Sequence, residues 1–199
     1  MQMKIQYHPV PRNAIRIALP DTSQQTGYSC GASCLQSVCH YYGLGKEDEW
    51  EIVEDMGIDP KVGSHPFQVR RLAKAYGLSW KEYQPMTMEQ LKRELGNRKP
   101  VMLMIQAWGI KRGEEDYRES YKKIWGEGHW VVAIGYDREG IFFEDPSLQA
   151  VRGFLKYAEL EERWHDVGPK KEHIEHYGLV LWKPGTRVSA YTSRAERIA

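Results

Sequence analysis

An α+β fold, with an N-terminal helical part packed on a C-terminal antiparallel sheet, follows from three observations. Between residues 30 and 95 apolar side chains recur at helical spacing, and most of these runs end at a glycine. From residue 100 onward the pattern changes to short apolar runs of strand length. Two of those runs are joined by Asp137-Arg-Glu-Gly140, a hairpin-type turn. Helices gathered in one half of the chain and strands in the other predict segregated layers.

Residues 1–23 read as an extended lead-in punctuated by Pro9, Pro11 and Pro20. Residues 30–42, CGASCLQSVCHYY, carry small or apolar side chains at 30, 34, 35, 38, 41 and 42, a helical period, with Gly43 as C-cap. A second helix is expected over 48–56, ending at Gly57, and a third over 64–76, with Pro66 in its first turn and Gly77 beyond its end. Residues 86–95 read as a fourth, where Thr87 and Gln90 have the spacing of a capping box. Strands are expected over 100–108, 129–137, 140–146 and 176–182, and a further helix over 155–163. Residues 111–128 and 166–175 are charged, aromatic loops, the kind of segment that serves as a lid. The polar, basic tail from 184 to 199 is expected to be poorly ordered.

The 199 residues suit one domain, spanning 1–199 with its core at about 22–182. Lys+Arg 28 against Asp+Glu 27 leaves a net charge of +1. That balance argues against nucleic acid as a partner, since phosphate binding needs a basic surface. The longest apolar run, residues 101–105, falls far short of the ~18 residues of a membrane helix. The N-terminal stretch has no continuous apolar segment or small-residue cleavage pattern, so a cytoplasmic location is expected. Cys30, Cys34 and Cys39 are too few and too close for a disulfide framework, and they lack the paired CxxC spacing of a zinc site. Free thiols are expected, with no cofactor and no metal. Nothing in the sequence specifies an oligomer.

Chemistry concentrates on Cys30. A cysteine opening a helix faces unpaired backbone N–H groups and the positive end of the helix dipole, both of which favour thiolate. Cys34, one turn on, and Cys39, on another side of the helix, read as packing residues. A thiol nucleophile needs a base. His129 opens one strand and Asp145 closes the next, and the hairpin between them can bring imidazole and carboxylate together. Gln24, six residues before Cys30, can donate its side-chain amide to an oxyanion, with Gln25 as its rival for that role. Trp130, Tyr28 and Trp108 are candidates for lining a substrate cleft, with core packing the plainer alternative for the tryptophans; Trp125 is a further one. His165, Asp166, His173 and His176 raise a metal reading, weakened by their charged loop and the absence of a clear ligand set.

The segment Gln24-Gln-Thr-Gly-Tyr-Ser-Cys30-Gly-Ala-Ser-Cys-Leu-Gln-Ser-Val-Cys-His-Tyr-Tyr-Gly43 resembles the nucleophile segment of the double-glycine leader peptidases. These are papain-like cysteine peptidase domains of bacteriocin exporters, with stand-alone C39-like relatives. Residues 128–137, GHWVVAIGYD, and 141–146, IFFEDP, are similar to the family's His and Asp strands. The resemblance covers about residues 22–182. It implies a papain-like fold, Cys30 as nucleophile, His129 as base, Asp145 as orienting acid and Gln24 as oxyanion donor. Ser29 and Ala32 stand where many members have Asp and Pro. No transporter domain accompanies the motifs, so a stand-alone member is expected. The implied activity is hydrolysis of a peptide or amide bond in a peptide or protein substrate. The same residues would serve an acyltransferase, and a catalytically silent peptide-binding module is the alternative from another class.

Overall fold

The computed structural model describes residues 7–11, 14–108, 121–149, 151–186 and 194–197, with the backbone alone at Tyr7 and at 194–197. Four helices come first: α1 (Cys30–Tyr41), α2 (Glu49–Met56), α3 (Pro66–Ala75) and α4 (Met88–Gly96). All four fall within two residues of the spans expected from periodicity. Their ends show why. Asp48 caps α2 by accepting from Trp50 N, and Gly57 closes it with φ 68°. Pro66 occupies the first turn of α3, and Thr87 and Gln90 form the anticipated capping box on α4. A fifth helix, α5 (Tyr157–Arg163), is shorter than expected.

Among the described residues nine strands form one sheet. β1 (Tyr7–Pro9), β11 (Arg194–Arg197), β7 (Gly153–Lys156), β6 (Gly140–Glu144), β5 (Gly128–Tyr136), β4 (Val101–Gln106), β10 (Gly178–Trp182) and β3 (Ser79–Tyr83) lie side by side in that order. β2 (Ile15–Arg16) joins β5. Every pairing is antiparallel except β11 with β7. A separate hairpin pairs β8 (His165–Val167) with β9 (His173–Glu175).

Four expectations need correction. Phe154 and Leu155 are strand residues, because they pair with Phe142 and Ile141 and bury both side chains; the helix begins only at Tyr157. β3 was not expected: Ser79–Tyr83 is polar and half-exposed, the character of an edge strand held by main-chain pairing to β10. Residues 166–167 and 173–175 are strand residues of the β8–β9 hairpin rather than loop, whereas residues 111–120 of the other loop lie outside the described residues. The tail is partly structured, since β11 inserts between β1 and β7.

The core lies between the helices and the sheet. Residues Cys30 to Cys39 of α1 are all buried, so α1 is the central helix, packed on β5. The apolar run of β4 is buried throughout. The β5–β6 register shifts at a bulge between Ala133 and Gly135, and beyond it the end of β5 pairs with both β2 and β6. A Cβ on Gly135 would lie 2.0 Å from the Ile15 carbonyl oxygen and 3.0 Å from Arg16 Cα, both backbone atoms. Gly135→Ala is therefore expected to displace β2 and lower unfolding stability by about 2 kcal/mol, measured as a shift in urea midpoint.

Candidate active site

Cys30 is the first residue of α1, and no side chain caps that helix end. Its first turn carries no acidic residue, and Cys30 sits at the positive end of the helix, with the Glu49 carboxylate close by on the N-cap Ser29. Ser29, at the N-cap, turns its hydroxyl to the preceding loop instead, accepting from Thr26 N at 3.1 Å and Thr26 Oγ1 at 2.9 Å. Gly31 permits the close approach of α1 to its neighbours: a Cβ there would meet Ser64 Oγ at 1.9 Å and Trp130 Cδ1 at 3.1 Å. The other two thiols are packing residues. Cys34 donates to Trp130 O at 3.2 Å, and burial pushes its thiol well up. Burial raises Cys39 to about 12. All three cysteines are free.

His129, the second residue of β5, and Asp145, just after β6, are both buried. Pairing of β5 with β6 brings their ends together, and His129 Nε2 lies 2.7 Å from Asp145 Oδ1. Ser147 donates to the same oxygen through its N at 2.9 Å and its Oγ at 2.7 Å, which fixes the carboxylate. Burial works against charge on the imidazole, but the Asp145 charge and hydrogen bond, reinforced by Cys30, outweigh it and raise His129 to about 10. Asp145 is lowered: burial opposes ionisation, and His129 and Ser147 together overcome it. With Nε2 engaged by Asp145, Nδ1 is the nitrogen left for the thiol. It is buried and makes no hydrogen bond of strict geometry, yet the Cys30 side chain is near enough to raise the imidazole through both hydrogen bonding and charge. Catalytic contacts of this kind commonly tighten only when substrate binds.

Gln24 is tied to the Asp145 end of the sheet, its N donating to Pro146 O at 2.9 Å. Its Nε2 donates to Thr26 O at 2.7 Å, leaving the second amide hydrogen. Gln25, the rival residue, is held by its backbone to Glu49 Oε2 at 2.9 Å.

A cavity of about 460 Å³ opens over Cys30, lined among others by Tyr28, Trp130, Ser64, Trp125 and Asp166. Tyr28 and Trp130 are thus placed where the sequence suggested. Trp130 is also core: it is buried and its Nε1 donates to Ser64 O at 2.9 Å. Trp108 stands apart from this lining. Its indole, 47% exposed, packs on the His129 ring with centroids 4.6 Å apart, so it shields the imidazole from solvent rather than facing the cavity.

The four residues of the metal reading do not converge. His173 lies in β9, not on a helix, and stacks on Trp125 with centroids 3.8 Å apart; His176 stacks on Trp164. Among the described residues no group of three or more His, Cys, Asp or Glu is placed to hold a metal ion. Sequence reasoning missed Ser147, although Asp145-Pro-Ser147 has the spacing of an Asx turn. It also missed Glu49, whose carboxylate braces the 24–29 loop through Gln25 and Ser29. No local pattern marks Glu49.

A helical half laid on an antiparallel sheet, with a cysteine opening the buried central helix, is the architecture of papain-like cysteine peptidases. The comparisons carry this further. The profile of the Peptidase_C39 like family matches residues 16–172, and the chain belongs to that family, a family of cysteine peptidase-like hydrolases. Solved structures of the same fold include a protein from Bacillus anthracis described as a C39-like peptidase, at 16% identity and TM-score 0.59, covering 87% of this chain and 98% of that one. A double glycine motif protease from an AMS/PCAT transporter, solved with its leader peptide, matches at 21% identity and TM-score 0.56, over 88% and 98% of the two chains. The peptidase domain of Streptococcus ComA, a bifunctional ABC transporter, matches at 15% identity and TM-score 0.56, over 85% and 98%. No match was found among curated proteins. Among the described residues no helix is long and apolar enough to cross a membrane.

Proposed function

We propose that the protein hydrolyses a peptide or amide bond through Cys30, His129, Asp145 and Gln24. The observation that carries this reading is the 2.7 Å contact between His129 and Asp145, both buried, at the sheet end that faces the start of α1. His129 takes the Cys30 proton, and Asp145 stabilises the resulting imidazolium and holds its orientation. The thiolate attacks the carbonyl carbon. The oxyanion forms against the Cys30 backbone N–H and the free amide hydrogen of Gln24. His129 then protonates the leaving amine, and water releases the acyl group. A peptide substrate is supported by the cavity over Cys30 and by the leader peptide bound to the transporter protease of the same fold.

The test is a mixture of peptides of varied sequence, with new termini read by mass spectrometry. Wild type is expected to generate them and Cys30→Ala to generate none. Gln24→Ala is expected to lower kcat by about 10²-fold while leaving KM near the wild-type value, as loss of an oxyanion donor does. Cleavage that persists in Cys30→Ala sinks the reading.

A further inference from the structure

One wall of the Cys30 cavity is a carboxylate that the hydrolytic steps above do not use. Asp166 lies in β8, on the hairpin that flanks the cavity. Its Oδ1 is anchored twice, accepting from Val167 N at 2.8 Å and from Gln106 Nε2 at 3.3 Å. Gln106 is itself fully buried and fully committed. Its Nε2 also donates to His165 O at 3.0 Å, and its Oε1 accepts from Glu127 N at 2.9 Å. The register of β4 against β5 sets Gln106 opposite Gly128, the residue before His129. The absence of a side chain at Gly128 makes room for the acid, since a Cβ there would lie 2.4 Å from Asp166 Oδ2 and 2.5 Å from Oδ1.

The carboxylate is therefore held against the strand that carries the candidate base. Among the described residues no ion pair joins it: Lys61 and Lys171 line the same cavity, and neither is paired with Asp166. Burial raises the Asp166 carboxyl to about 6, against the pull of the Val167 and Gln106 hydrogen bonds and of the His129 charge, which still leaves it an anion at neutral pH. A partly desolvated anion whose second oxygen has no hydrogen-bond donor among the described residues is matched by a cation from outside.

We infer that Asp166 is a specificity-determining residue that receives an ammonium or guanidinium group of the substrate next to the bond presented to Cys30. The inference rests on the proposed role of Cys30. A neutral peptide N–H is the weaker match, because it would leave the buried negative charge with the His129 charge alone to offset it.

Methanethiosulfonate reagents test it, since they share one reacting group and differ only in their tail. Cys30 labelling is followed by peptide mapping with the 2-aminoethyl, 2-hydroxyethyl and 2-sulfonatoethyl compounds, in wild type and Asp166→Asn. Asparagine retains an oxygen for Val167 N and Gln106 Nε2, so the hairpin is expected to keep its place. The cation-over-neutral rate ratio at Cys30 is expected to fall by about tenfold in Asp166→Asn, and the wild-type ratio to shrink at high salt. The neutral reagent reports any change in the thiol that follows from the effect of Asp166 on His129, and the ratio removes it. An unchanged ratio overturns the inference, as does an equal slowing of all three reagents, which would make Asp166 a structural residue. The ratio is defined even where labelling is slow. Slow labelling of Cys30, no faster than a small model thiol, therefore counts against the hydrolase reading, while the ratio decides on Asp166.

Discussion

His129→Ala is expected to slow alkylation of Cys30 by iodoacetamide about 30-fold at pH 7, because an ordinary cysteine is only a few per cent thiolate there. In the wild type the imidazole is raised to about 10, so it stays protonated beside the sulfur across the neutral range. The wild-type rate should accordingly exceed that of the variant throughout the neutral range and depend less on pH. In the variant the rate should climb with pH as an unassisted thiol ionises. Cys34 and Cys39 serve as internal controls. Both are fully buried with thiols pushed up by that burial, and peptide mapping should find them unmodified in either protein. Equal rates at Cys30 in the two proteins, with the same pH dependence, would show that no thiolate–imidazolium pair forms.

Asp145→Ala is expected to be the most damaging change in the protein. It removes the one hydrogen-bond partner that His129 Nε2 has among the described residues, in a buried pair, and the acceptor of both Ser147 donors. Breaking a buried pair from one side leaves the other group uncompensated, at a cost of about 3 kcal/mol or more. The urea midpoint should drop with little change in slope. Turnover should fall by about 10³-fold, because the imidazole loses both its orientation and its affinity for a proton. Asp145→Asn refines the test through pH. The native carboxyl is lowered, so its stabilisation is present above the ordinary carboxylate value of ~3.9 and fades as pH falls through the native value. The native imidazole is raised, so its stabilisation is complete below ~6.5 and fades as pH rises towards about 10. The stability gap between wild type and Asp145→Asn should thus be widest from about pH 4 to 6.5 and narrow on either side. A gap that is constant from pH 4 to 10 would mean that the pair is not ionised.

The elements that were legible in the sequence are those whose signals are local. The four helices declare themselves through apolar spacing and through caps such as Asp48, Thr87 and Gly57, whose partners lie within four residues along the chain. β4, β5 and β6 are apolar runs bounded by turn residues. The elements that were missed or misplaced depend on distant partners. Ser79–Tyr83 is a strand only because β10, about a hundred residues later, pairs with it. Leu155 reads as the start of a helix until Ile141 offers a sheet edge. The tail segment Arg194–Arg197 has no apolar pattern and is drawn into the sheet by β7 and β1.

The candidate site divides along the same line. Residue type and order alone were enough to single out Cys30, His129 and Asp145, because a nucleophile at a helix start and a His and an Asp bracketing a hairpin are arrangements a linear sequence can display; the choice of Gln24 over Gln25 came from the family resemblance. Whether Trp108 faces substrate or shields His129 was decided by ring packing at 4.6 Å. The bracing of the 24–29 loop by Glu49, and the setting of Asp166 against Gly128 on a frame supplied by Gln106, were likewise decided by tertiary structure. Each of these joins side chains from elements far apart in the chain. Their geometry arises only when strand register and helix packing are complete, whereas caps, turns and periodicity are written within a few consecutive residues.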